Sequence, residues 1–169
     1  MFELSPVDAD PRGLREAFAC FPSGVVAVCA MIDGSPVGMA ASSFTSVSLA
    51  PPLVSFCAQT ASATWPRLRT RPRLGISVLA EAHDSACVSL SRKTGDRFTD
   101  VDWEATESGA VIVHGATAWL ECYLHSEVPA GDHSIVLLQI RGMETTPGVA
   151  PLIFHGSRFR RLVALSRSA

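Results

Sequence analysis

The chain has 169 residues, 47% of them apolar and 18% charged, with a formal net charge of −2. That length and balance describe a globular chain with a proper core and exclude a disordered one. A slightly acidic protein also lacks the basic excess that a nucleic-acid backbone requires, so no nucleic-acid partner is expected.

Asp10-Pro11 predicts a helix start, a capping carboxylate followed by proline at the first helical position. The segment to Cys20 carries Leu14 and Phe18 four apart and is stopped by Pro22 and Gly24. Val25 to Met31 is an apolar, β-branched run, and Asp33-Gly34 predicts a hairpin turn into a strand from Pro36. Leu53 to Cys57 reads as a buried strand after the Pro51-Pro52 corner. Ser62 to Thr70 predicts a short helix, Leu74 to Leu79 a strand, and Ala82 to Ser91 a second helix. From Lys93 to Gly109 the chain is polar and broken, with Phe98 and Trp103 as anchors. Val111 to Val113, Ala116 to His125, Ile135 to Arg141 and Leu152 to His155 complete the strands. Many short strands without regular strand–helix alternation predict an all-β fold, a closed antiparallel barrel with a few short helices. No linker or internal repeat divides the chain, so one domain spanning residues 1–169 is expected.

One stretch stands apart. Gly34 to Pro66 contains no charged residue, yet ten of its 33 positions are Ser or Thr. Its prolines and hydroxyls do not suit lipid, where unpaired polar groups are costly, and no membrane association is expected. They suit a dry pocket wall on which small residues let a flat ligand approach the backbone. Arg67, Arg69, Arg71 and Arg73 follow at once, as an anionic phosphate tail would need. The combination reads as a flavin site. There is no Gly-x-Gly-x-x-Gly turn, no Walker loop, no Gly-x-Ser-x-Gly elbow and no metal-ligand spacing, so no metal is expected. The five cysteines show no Cys-x-x-Cys pair and read as small buried thiols in a reducing compartment. The N-terminus lacks a basic-then-apolar leader, and the cytoplasm is the expected location.

Ser42-Ser43-Phe44-Thr45-Ser46-Val47-Ser48-Leu49, followed by Pro51-Pro52-Leu53-Val54, resembles the signature of the flavin reductase-like domain. Gly131-Asp132-His133 resembles that family's Gly-Asp-His element, and Pro151-Leu152-Ile153-Phe154-His155-Gly156 its C-terminal ending. Arg97-Phe98 resembles an Arg-Phe pair between them. The similarity spans roughly Phe18 to Phe159 in the family's order. Ala50, Met39-Ala40, Gln59 and Phe159 depart from the common pattern. The resemblance implies a Greek-key split β-barrel, usually a homodimer, in which NADH or NADPH reduces FMN, or FAD, for a partner monooxygenase.

On this reading Ala40, Ala41, Ser42 and Ser43 present backbone to the ring, and Ser46, Val47 and Ser48 contact the ring or its ribityl chain. Ser62, Thr64 and Arg67 are candidates for the phosphate. Cys57, Ala58, Gln59, Phe98 and Phe154 are further candidate cofactor contacts. His133 is the candidate catalytic residue, positioning the nicotinamide or its phosphates, with Asp132 orienting it or making the turn. Two rival readings share the barrel: a flavin carrier or redox sensor without turnover, and an enzyme that keeps its flavin and acts on its own substrate.

Overall fold

The computed structural model describes residues 3–4, 6–7 and 10–163. In chain order its elements are α1 (Pro11–Ala19), β1 (Ser23–Gly24), β2 (Val26–Ile32), β3 (Ser35–Ala41), β4 (Thr45–Leu49), β5 (Pro52–Gln59), α2 (Trp65–Leu68), β6 (Leu74–Val78), α3 (Asp84–Leu90), β7 (Trp103–Ala105), β8 (Val111–Val113), β9 (Ala118–Ala130), β10 (His133–Thr145), β11 (Ile153–His155) and β12 (Arg158–Arg160). Seven strands form one antiparallel sheet in the order β3-β2-β6-β9-β10-β5-β4. The chain leaves β5, crosses over to β6, and returns through β9 and β10 to lie beside β5 again. That return is a Greek key, and the curled sheet is the expected split barrel.

β2 explains why Val25 to Met31 carries no polar face. Val26, Val28, Ala30 and Ile32 point into the barrel with Phe56, Ile76, Val136 and Leu138. Val25, Ala27 and Cys29 point the other way, into a second core with Leu90, Phe98, Val111 and Leu152. A strand covered on both faces reads as an unbroken apolar run. Its turn is the Asp-Gly hairpin expected from sequence, with both residues at positive φ.

Several boundaries differ from expectation. α1 has Asp10 as its cap, with Oδ1 accepting from Arg12 N, but none of its residues is buried. The helix expected over Ser62 to Thr70 shrinks to Trp65–Leu68, because Ser62 Oγ accepts from the Trp65 amide and starts the turn late. A 3₁₀ turn, Glu81–His83, precedes α3. β4, read from sequence only as pocket wall, is an edge strand with a bulge between Ser46 and Ser48. β9 and β10 run far past their expected ends as a long hairpin. Cys29, Cys87 and Cys122 are buried as expected, and burial pushes the Cys29 and Cys122 thiols up to about 12. Cys20 and Cys57 are exposed instead, one at the end of α1 and the other on the outer face of β5.

Trp65 is the bolt between α2 and the barrel. Its ring meets Phe56 edge-on at 5.2 Å, and its indole N–H donates to Glu127 Oε1 at 2.9 Å. The buried ring thereby keeps its polar tip satisfied.

His83 carries a pH dependence. Its Nδ1 accepts from the Ala80 amide at 3.0 Å, and burial holds its pKa below the usual 6.5, with a hydrogen bond to the His114 backbone pulling weakly upward. The folded state therefore favours the neutral ring. Its contribution to stability is complete above pH 6.5 and is lost as pH falls from there through the lower folded-state value. Urea midpoints measured from pH 7.5 to pH 5 should fall with pH, and less steeply in His83→Gln. Equal slopes in the two proteins would remove His83 from this account.

Candidate active site

The antiparallel ladder between β10 and β5 sets His133 opposite Gln59 and Ile135 opposite Cys57. Residues more than seventy positions apart thus share the outer face of the sheet. Alternation decides the rest: Cys57 and Gln59 face outward, while Ala58 turns into the barrel core. Thr60 ties the corner, its amide and hydroxyl both donating to Asp132 O at 3.0 and 2.9 Å.

A cleft of about 730 Å³ opens at this corner. One wall is the end of β3 and the turn after it, Met39 to Ser43, all small residues except Met39. Cys57, Gln59, Ala61, Ser62 and Ala63 make the second wall, and Leu90, Ser91, Lys93 and Arg97 the third, with His133 between. Ser43 holds the first two walls together, its Oγ accepting from the Cys57 amide at 2.8 Å. Among the described residues lining the cleft there is no carboxylate, and two are cations. A smaller apolar recess of about 410 Å³ shares Ala40, Ala41, Ser42 and Ser91 with it and ends on Phe154 and Phe159.

Of the residues singled out from sequence, the cleft brings together Ala40, Ala41, Ser42, Ser43, Cys57, Gln59, Ser62 and His133. Phe154 lies in the adjoining recess, its ring edge-on to Phe159 at 5.7 Å. The others do not line the cleft of this single chain. Ser46, Val47 and Ser48 lie on β4, whose pairing with β5 runs away from the cleft toward Pro52. Ala58 and Phe98 are buried, each facing a core. Arg67 is an exposed residue in the last turn of α2. Thr64 is 8% exposed, and its hydroxyl is taken by Arg97.

Met39, Ala61, Ala63, Leu90, Ser91, Lys93 and Arg97 were not singled out as site residues, although Arg97 stood in the Arg-Phe pair. Lys93 is the chain's only lysine, a signal that has meaning only once α3 delivers it to the cleft rim.

His133 Nδ1 lies 2.7 Å from Asp132 Oδ1. Hydrogen bonding and charge from His133 hold the Asp132 carboxyl below its usual range, so it is ionised at neutral pH. With Nδ1 engaged there, Nε2 is the nitrogen free for a ligand. The donor-rich, carboxylate-free cleft with a wall of small residues fits a flat ring carrying an anionic tail, and a flavin is such a group.

The flavin reductase like domain model matches residues 18–163. The chain belongs to the flavin reductase-like domain family. Among curated members of this family, a flavin reductase of Pseudomonas putida is 35% identical over 92% of each chain. The reductase subunit HsaB of a flavin-dependent monooxygenase from Mycobacterium tuberculosis is 32% identical, over 86% of this chain and 79% of its own. Among solved structures, the NADH:FAD oxidoreductase SgcE6 of Streptomyces globisporus C-1027, in complex with NAD and FAD fragments, superposes with a TM-score of 0.87. It is 37% identical and covers 95% of this chain and 99% of its own. The family's split barrel is the fold described above.

Proposed function

We propose that this chain is an NAD(P)H:flavin oxidoreductase that reduces FMN, or alternatively FAD, and supplies the reduced flavin to a partner monooxygenase. The observation that carries this reading is the cleft: small residues on one wall, Lys93 and Arg97 on another, no carboxylate among the described lining residues, and His133 at the corner. Family membership supports the chemistry, and relatives named as monooxygenase reductase subunits support the partner.

A flavin bound here accepts the hydride that a reduced nicotinamide supplies. The chain's own part is geometric and electrostatic. Ala40 to Ser43 offer backbone and short side chains on which a ring can lie close. Ser43 keeps that wall fixed to β5, so the ring's seat does not drift. His133, its tautomer set by Asp132, offers Nε2 to the second nucleotide. The recess ending on Phe154 leaves an apolar surface beside the wall.

We further propose a cytoplasmic homodimer with the chain acting as one domain. Its support is the exposed apolar surface of β4 and the long hairpin, where Leu49 is 96% exposed and Val47, Val128 and Ile135 are exposed too. Among the described residues no helix is long and apolar enough to cross a membrane. Light scattering should give twice the chain mass; the mass of one chain would reject the dimer.

The direct test mixes purified protein with FMN or FAD and NADH or NADPH and follows the reduced-nicotinamide absorbance. Oxidation well above the free-flavin background in at least one combination is expected. Flavin binding without any such oxidation would favour the carrier reading.

A further inference from the structure

Thr64 occupies the N-cap position of α2, where a threonine hydroxyl ordinarily accepts from the helix's first amides. Here it makes no such bond. Ser62, two residues earlier, takes that duty, its Oγ accepting from Thr64 N at 3.3 Å and Trp65 N at 3.1 Å. The hydroxyl of Thr64, a residue only 8% exposed, accepts instead from Arg97 Nη1 at 2.8 Å. The same nitrogen donates to Gly38 O at 3.0 Å. Gly38 has no side chain for a reason: a Cβ there would lie 2.4 Å from Cys29 Sγ and 3.0 Å from the Phe98 ring. The Arg97-Phe98 pair therefore docks on bare backbone, ring and guanidinium together.

The result is a guanidinium fixed through one nitrogen between two walls of the cleft. Among the described residues its Nε and Nη2 have no protein acceptor, and no carboxylate pairs with it. Neighbouring Asp96 is committed elsewhere, its Oδ1 accepting from Phe98 N at 2.8 Å. A half-buried, unneutralised cation anchored on the wall of a cleft, with donors left over, is built to receive an oxyanion.

We propose that Thr64 is a positioning residue that locks Arg97 so that its free nitrogens hold the 5′-phosphate of the bound flavin. The assignment rests on the flavin reading above and deepens it. Thr64 does not touch the ligand. It sets the angle of the group that does, and Lys93 on the rim adds charge without direction.

The test compares FMN with riboflavin, which has the same ring and no phosphate, by fluorescence titration of the wild type, Thr64→Val, Arg97→Gln and the double variant. Thermal melts confirm that each is folded, and Arg97→Lys serves as a second variant should Arg97→Gln fail to fold. The wild type should prefer FMN. Arg97→Gln should weaken FMN by about 10- to 100-fold, the worth of a charge-assisted bond, and leave riboflavin unchanged. Arg97→Lys, which keeps the charge and loses the fork, should show a smaller loss confined to FMN. Thr64→Val, nearly isosteric, should weaken FMN by about 3- to 10-fold, again sparing riboflavin. In the double variant Thr64→Val should add nothing further, because the residue it positions is gone. Equal losses for FMN and riboflavin, additive losses in the double variant, or an effect confined to the KM for NADH would each overturn the assignment. A wild type that binds FMN and riboflavin equally would overturn it too. A wild type that binds neither would instead bring down the flavin reading itself, and this proposal with it.

Discussion

Gly75→Ala should lower stability by about 3 kcal/mol, the upper part of the range for overpacked cores. A Cβ at Gly75 would lie 2.0 Å from the carbonyl oxygen of Val111, 2.7 Å from its carbon and 3.0 Å from its nitrogen. All three atoms are backbone, so no rotamer change relieves the clash, and β8 itself must move. β8 cannot move cheaply. Val111 and Val113 are buried in the second core, and the Val113 amide donates to the Ser77 hydroxyl at 2.9 Å across the same β6–β8 contact. For a chain of this size the loss corresponds to a melting midpoint lower by about 6–12 °C. At Gly38 the 2.4 Å contact is with a side-chain sulfur, so Gly38→Ala should cost less than Gly75→Ala. A Gly75→Ala protein melting within 2 °C of wild type would show that β8 is not held as described.

His133→Ala should carry the largest loss of activity among the cleft residues. The side chain stands at the meeting of the β5–β10 ladder and the cleft, with Nδ1 held by Asp132 and Nε2 available. If its role is to position the nicotinamide nucleotide, its removal misplaces the reacting carbon and leaves the flavin's seat intact. kcat/KM for the nicotinamide substrate should then fall on the order of 10- to 100-fold, with flavin affinity close to wild type. Asp132→Asn keeps the ring but weakens the bond that fixes its tautomer, and should give a smaller loss of the same kind. Flavin affinity falling in parallel with turnover would move His133 from the nicotinamide to the flavin. Unchanged kinetics would remove it from the mechanism.

Much of the barrel was legible in the residues. The unbroken apolar run of β2 announced a strand covered on both faces, and Asp33-Gly34 announced its hairpin. β4 was hidden because only Val47 and Leu49 alternate with its hydroxyl residues, and both are exposed on an edge strand, so the run carries no buried apolar face to mark it. α2 was overestimated because Ser62 was read as the start of the helix, whereas its hydroxyl reaches forward to the Trp65 amide. In the cleft, the Ala40–Ser43 part of the wall and His133 were legible, since each lies in a contiguous segment, whereas Met39 was not. Ala58 could have been separated from Cys57 and Gln59 by strand alternation alone. Lys93 and Arg97 could not be placed, because they reach the cleft only through the packing of α3 and the docking of Phe98 on Gly38. Arginines close in sequence to the hydroxyl-rich run drew attention first. Of these, Arg69 pairs with Glu127 at 3.4 Å and Arg73 with Glu121 at 3.9 Å. A charge-rich stretch is as often a set of surface ion pairs as an anion site, and only the fold distinguishes them.

This cleft should support hydride transfer, beyond merely binding a flavin. The most direct test is anaerobic rapid mixing of the protein–flavin complex with NADH and, separately, NADPH, following the oxidised flavin's visible absorbance. This band should bleach with at least one of the two nucleotides, far faster than in a mixture of free flavin and nucleotide. Bleaching no faster than in the free mixture with either nucleotide, while the flavin remains bound, would contradict it.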